Sequence, residues 1–400
     1  MALPAECSVD QPAIDVARSE QSTNLVDMLQ RLAASSGRPL GSVLGDFIRT
    51  SFGPGRLSFD EFVALGLYDP ARYRGSDLRG FAGLGAMQRI WRRANYRSEF
   101  DGLIRNKIAM TSVLEAHGLP VIPIAAVYST AGRETARALH AKAALRTYLA
   151  SEAAYPLFGK PADGHQSLGS IAIAGYDATR QALRCHGGDT KPLDSVVDDV
   201  ASHFGGGYLV QPRISPHFET KAICGDRLAT VRVVTAVTRA GAKILRICEK
   251  IPAGANVADN YWRSGNLLVT VDRLTGARRR AISGKGFDLK EHSRHPDSGM
   301  PVVGTVVPNW IAVCELALEA ACLMKETALL GWDIAPVDDG AVIVEANVTP
   351  DLMLPQLADR KGILDAELRG FLGECRAQEK GWKRELRATS RKQHRASFMN

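Results

Sequence analysis

Three residues in the stretch GWDIAPVDDGAVIVEANVTP, residues 331–350, have the types and spacing to hold a divalent metal. Asp338-Asp339-Gly340 supplies the Asp-Gly pair that favours a tight hairpin turn. Its flanks are apolar and largely β-branched: Trp332, Ile334 and Val337 before, Val342, Ile343 and Val344 after. Glu345 and Asn347 are two apart and share one face of the second strand, while Asp333 falls near the same end of the first. A buried carboxylate needs a partner or a cation. Two carboxylates and an amide oxygen suit magnesium, a hard ion that shares its shell with water and phosphate. From these residues alone, a hairpin with solvent-facing acids at its open end fits equally well.

Lys160 ends an apolar strand, PLFGKPADG, ahead of a loop with Gly164, Ser167 and Gly169. Glycines let backbone N–H groups approach an anion, and a lysine adds a point charge for phosphate. An exposed strand end is the structural alternative, and the pattern is not G-x-x-x-x-G-K-[ST]. Lys107 lies in a helix, where lysines are mostly solvated. Arg232 stands among Val231, Val233 and Val234 and needs an anion, either a structural carboxylate or a ligand phosphate or carboxylate.

The elements that must position these residues form a mixed α and β chain. Residues 12–50 and 58–98 read as mostly helical, broken by SFGPGR at 51–56. A helix from about 103 stops at Gly118 and Pro120, and a strand follows to 128. A helix near 134–150 leads to the Lys160 strand, a hairpin (SIAIAGY, QALRC), a short helix (DSVVDDVASHF) and the strand YLVQPRI at 208–214. Strand patterns then dominate at 229–237, 243–251 and 267–273, and a helix with apolar positions three and four apart spans about 308–330. The expected organisation is a helical region (1–100), a linker helix with a small α+β subdomain (101–210), a larger subdomain with the metal residues (211–368) and a basic tail (369–400).

Composition is that of an ordinary globular protein, 45% hydrophobic and 23% charged. No apolar run is long enough for a membrane span, and the N-terminal residues do not read as a secretory signal. Seven scattered cysteines without a C-x-x-C pair argue for reduced thiols in a cytoplasm rather than disulfides or zinc. The net charge of +7 gathers in the tail, which is read as a solvated or disordered end. No base-reading motif accompanies it, so no nucleic-acid partner is expected.

In order and rough spacing, NKIAMTSVLEAHGLPVIP, FGKPADGHQSLGS, YLVQPRI, TVRVVT and DIAPVDDGAVIVEANVTP resemble the ATP-grasp superfamily over about residues 100–365. LATVRVVT, NVADNYWRSGNLLVTVDRLTG and RHPDSGMPVVGTVVPNW are similar to its sugar-transfer associated branch. The resemblance implies the ATP-grasp fold, two α+β subdomains clamping ATP, here preceded by helices. It implies that Lys107, Lys160 and the loop with Gly164, Ser167 and Gly169 hold the phosphates. The hinge strand with Gln211 and Arg213 would meet adenine, and Glu219 the ribose. Many relatives carry a glutamate in the hinge, where this chain has Gln211-Pro212. Arg232 would face the transferring phosphoryl group, and Asp333, Glu345 and Asn347 would hold two magnesium ions. ADNYWRSGNLL resembles a stretch of ribosomal-protein-modifying relatives and would put Asn260 or Arg263 near the reacting centre; an ordinary loop is the alternative.

The implied activity is an ATP-dependent carboxylate–amine ligase working through an acyl-phosphate on small-molecule substrates. A phosphotransferase and a nucleotide-binding regulator without turnover are the alternatives. A homodimer is an open option for its assembly.

Overall fold

The computed structural model describes residues 14, 25–73, 77–131, 137–163 and 168–397. The chain divides into two compact units. The first comprises chiefly 106–112 and 122–214; the second comprises 22–105, 113–121 and 215–400.

The first unit holds seven strands: β1 (Ala126–Tyr128), β2 (Ala138–Leu139), β3 (Leu157–Pro161), β4 (Ile171–Asp177), β5 (Ala182–Cys185), β6 (Thr190–Pro192) and β7 (Tyr208–Pro212). Their order in the sheet is β2-β1-β7-β3-β4-β5-β6. The helix Leu193–His203 repeats apolar residues at Val196, Val197 and Val200, the spacing of one helical face. Those valines pack with Tyr128, Leu157, Ile173, Leu183 and Val210 in one core.

The second unit is built on an antiparallel sheet, β12-β11-β10-β9-β8-β13-β14. Its strands are β8 (Thr230–Thr238), β9 (Gly241–Ile251), β10 (Leu267–Val271), β11 (Arg278–Ser283), β12 (Lys290–His292), β13 (Leu329–Val337) and β14 (Gly340–Asn347). The helix Trp310–Leu323 packs against β8, β9, β13 and β14, and the helix Met353–Asp359 against β9, β10 and β11. The N-terminal helices belong to this unit rather than standing apart. Leu32, Val43, Leu57, Phe62 and Phe81 form a core with Cys248, Leu268, Ile282 and Leu357. One of these helices, Phe59–Ala64, starts at a capping box in which Ser58 and Glu61 satisfy each other's backbone N–H groups.

Of the segment expected to be a solvated or disordered end, residues 369–397 belong to a 32-residue helix, Ala366–Ser397. Phe371 and Cys375 anchor its start beside Met87 and Ile90, and Trp382 lies 5.9 Å from Tyr96, ring to ring. Residues 383–389 are exposed. Among the described residues no helix is long and apolar enough to cross a membrane, and the six described cysteines are free thiols.

Candidate functional site

Three sequence-predicted residues stand in one cross-strand row. Arg232 of β8 is in register with Asp333 of β13, and Asp333 with Glu345 of β14. Directly opposed residues share a face of the sheet. Glu345 reaches this row through an irregularity: Ile334 is opposite Ile343, but Asp333 is opposite Glu345, so Val344 is an extra residue, a β-bulge. Without it Val344 would oppose Asp333, and Glu345 and Asn347 would turn to the other face. Gly331 stands opposite Asn347. A Cβ there would come within 2.6 Å of the Pro350 Cβ and 3.4 Å of the Arg232 Cδ. The missing side chain at 331 is therefore what lets Pro350 and the Arg232 stem approach the strand.

Arg232, Lys250 and Asp333 are all buried. The Arg232 guanidinium grips Asp333 as a fork: Nε donates to Oδ1 at 2.5 Å and Nη2 to Oδ2 at 2.9 Å. Lys250 of β9 adds its Nζ at 3.1 Å from Asp333 Oδ2 and at 3.3 Å from Asp259 Oδ2. The Thr230 hydroxyl donates to the same Asp259 oxygen. Burial alone would raise the Asp333 carboxyl, but the Arg232 and Lys250 charges overcome it and hold the group well below the usual carboxylate range. At Asp259 burial outweighs Lys250, and the carboxyl is pushed up. Burial would lower the Lys250 ammonium, yet the two carboxylates keep it above its ordinary value. Arg232 is thus in an ion pair with Asp333, the structural alternative for that residue.

Lys250 and Asp259 were not singled out in the sequence. The signal for Lys250 was the same as for Arg232, a cation inside an apolar strand, here beside Ile247, Cys248 and Ile251. Asp259 had no such signal, because its partners lie on two other strands.

Asn347 fits a hard cation by one further observation: its side-chain Nδ2 is buried without a hydrogen-bond partner among the described residues. A half-turn of the amide presents the oxygen instead. No group of three or more His, Cys, Asp and Glu side chains among the described residues could share a metal. The donors on offer are two carboxylates and one amide, and their oxygens suit magnesium. Any ion on Asp333 would share its carboxylate with Arg232 and Lys250.

Asn260 and Arg263, both half-buried, lie between β9 and β10. The Trp262 N–H donates to Asn260 Oδ1 at 3.2 Å and the Arg263 N–H to the Asn260 carbonyl at 3.0 Å. Asn266, fully buried, donates to the carbonyls of Ala258 and Asn260 and accepts from the Ala253 N–H. Trp262 Nε1 donates to Asp351 at 2.7 Å. The segment is a bonded structure rather than a slack loop. Glu219 is exposed in the first turn of the helix Phe218–Cys224.

In the first unit, the Lys107 Nζ donates to the carbonyl of Pro161 at 3.4 Å, beside Lys160 at the end of β3. Both sequence-predicted lysines therefore serve the same strand end. Gly169 has φ +73°, and a Cβ there would lie 2.4 Å from the Phe204 ring and 2.7 Å from Pro161. Gly164 and Ser167 lie outside the described residues. Gln211 is buried on β7 and donates to the Ile122 carbonyl at 2.9 Å. Arg213 donates through its N–H to the Pro156 carbonyl, with Nη1 3.0 Å from His186 Nδ1.

The family model for sugar-transfer associated ATP-grasp proteins matches residues 86–369. No curated protein matches the sequence. Among solved structures the chain is similar to the D-alanine–D-alanine ligase from Coxiella burnetii, with 14% identity, TM-score 0.41, and 72% of this chain and 63% of that one covered. It is similar to biotin carboxylase from Campylobacter jejuni, with 12% identity, TM-score 0.42, and 69% and 47% covered. It is also similar to the D-alanine–D-alanine ligase from Bacillus anthracis, with 13% identity, TM-score 0.40, and 71% of each chain covered. The chain thus spans less than two thirds of the Coxiella enzyme and about half of the Campylobacter one. The family match runs from the helix Leu84–Ala94 through both sheets to the start of the C-terminal helix, and the chain belongs to the sugar-transfer associated ATP-grasp family.

Proposed function

We propose that the protein is an ATP-dependent ligase that joins a carboxylate to an amine or another nucleophile. The observation that carries the reading is the row of buried Arg232 and Asp333 and half-buried Glu345, with Asn347, whose buried side-chain Nδ2 has no hydrogen-bond partner among the described residues, further along the same strand. Buried charged groups gathered in this way are a mark of sites where charge must be managed. Asp333, Glu345 and Asn347 would hold magnesium, which when bound offsets phosphate charge. Lys107 and Lys160 would neutralise the triphosphate, with the loop through Gly164, Ser167 and Gly169 giving backbone N–H groups. The hinge at Gln211 and Arg213 and the acid Glu219 would receive the nucleoside.

In the first step a substrate carboxylate oxygen bonds to the γ-phosphorus, and the bond from that phosphorus to the β–γ bridging oxygen breaks. ADP leaves. Arg232 offsets charge on the transferring group, an electrostatic task rather than proton transfer. In the second step the nucleophile, oriented by Asn260 and Arg263, adds to the acyl carbon, loses its proton, and phosphate departs. The test is incubation with ATP, magnesium, a cell metabolite extract and hydroxylamine. ADP formation together with a hydroxamate supports the ligase. A phosphorylated alcohol with no hydroxamate overturns it in favour of phosphoryl transfer.

A further inference from the structure

We propose that Lys250 is a positioning residue that links Asp333, at the metal end of the β13–β14 hairpin, to the segment 252–266 through Asp259. The proposal rests on the reading of Asp333 as a metal ligand and of Asn260 and Arg263 as groups on the nucleophile's side.

A lysine ammonium has three N–H donors and no acceptor. Two oxygens within reach of Lys250 belong to carboxylates of different elements, Asp333 at 3.1 Å and Asp259 at 3.3 Å. Asp259 directly precedes Asn260 and also accepts from Thr230, so this one carboxylate clamps the segment to β8 and β9. Thr230, Lys250 and Leu268 are opposed in register on β8, β9 and β10. Lys250 therefore sits where the central strands and the crossing segment meet. Opposite charges this deeply buried are strongly interdependent, because each partner compensates the other's desolvation. When Asp333 turns an oxygen to a metal, Lys250 keeps Asp259 as its remaining carboxylate and holds it harder. Loading one site then stiffens the other, a coupling that works equally in reverse.

Hydrogen exchange on the full chain tests this, with and without magnesium and a non-hydrolysable ATP analogue. The variants are Lys250→Met, Asp259→Asn and the double variant. In wild type the analogue should slow exchange at Trp262 and Arg263. In Lys250→Met those amides should exchange about tenfold faster without ligand, and the response to the analogue should vanish. Asp259→Asn should do the same. The double variant should do no more than either single change, as expected of one shared link. Analogue affinity should stay within about threefold of wild type. Unchanged exchange in 252–266 with a large loss of affinity would overturn the proposal, since Lys250 would then touch the nucleotide itself. Faster exchange spread evenly over the second unit would also overturn it, as a purely structural ion pair. If Lys250→Met fails to fold, the double variant, which leaves no buried charge unpaired at this link, decides by the same segment. If wild type binds no analogue, the ATP reading falls, and the exchange of the unliganded proteins alone judges the link.

Discussion

Asp333 gives both of its oxygens to Arg232 and one of them also to Lys250, so a change at this carboxylate unbalances three groups. Removing one partner of a buried ion pair costs about 3–5 kcal/mol. We expect Asp333→Asn to lose stability on that scale in urea unfolding. The pH dependence has a definite sign. A carboxyl held low in the folded state contributes fully above its unfolded value of about 4 and loses that contribution as pH falls through the lower folded value. The gap in thermal midpoint between wild type and Asp333→Asn should therefore narrow below about pH 4. Asp259, pushed up by burial, works the other way: its contribution is present at low pH and fades as pH rises through the raised value. Glu345→Gln keeps volume and removes charge; it should fold normally, by circular dichroism, and lose magnesium-dependent ATP turnover. Lys160→Ala should weaken ATP binding roughly tenfold to a hundredfold in calorimetry, the worth of one charged hydrogen bond.

At the scale of elements, the loop after β3 depends on Gly169. Its positive φ and its contact with Phe204 and Pro161 leave no room for a side chain. Gly169→Ala should lower stability by about 1–3 kcal/mol, visible in thermal unfolding. The hairpin β13–β14 was legible in the sequence, because an Asp-Gly turn between β-branched runs has few other solutions. The bulge at Val344 was not: nothing in VIVEAN marks one residue as extra, and only pairing with β13 decides it. β11 was also hidden, because Arg278, Arg279 and Arg280 interrupt its apolar pattern. Two of those arginines are absorbed by tertiary partners. Arg278 forks onto the buried Glu249, and Arg280 donates to the carbonyls of Leu357 and Ala358 at the end of the helix Met353–Asp359. The C-terminal helix was legible only as a solvated or disordered end, since a charged run without apolar rhythm gives no helical signal, although its residues 383–389 are exposed.

For the whole molecule, the residues proposed for phosphate and for metal are divided between the two units. A non-hydrolysable ATP analogue with magnesium should slow amide exchange in both, around 157–161 and around 331–347. Protection confined to one of them would break the proposed division of labour. The helix Ala366–Ser397 has a consequence of another kind. Beyond Trp382 the chain carries six Lys and Arg residues and one Glu, a surplus of five positive charges within a formal total of +7. The rest of the protein is close to electroneutral, so its behaviour in an electric field or on a charged resin is governed by this one helix end rather than by either sheet. A chain ending at Trp382 retains the aromatic anchor on Tyr96. It should melt at nearly the same temperature yet leave a cation exchanger at much lower salt. Its solubility minimum should move from the basic range, where the intact sequence has its isoelectric point near 9.0, towards neutrality.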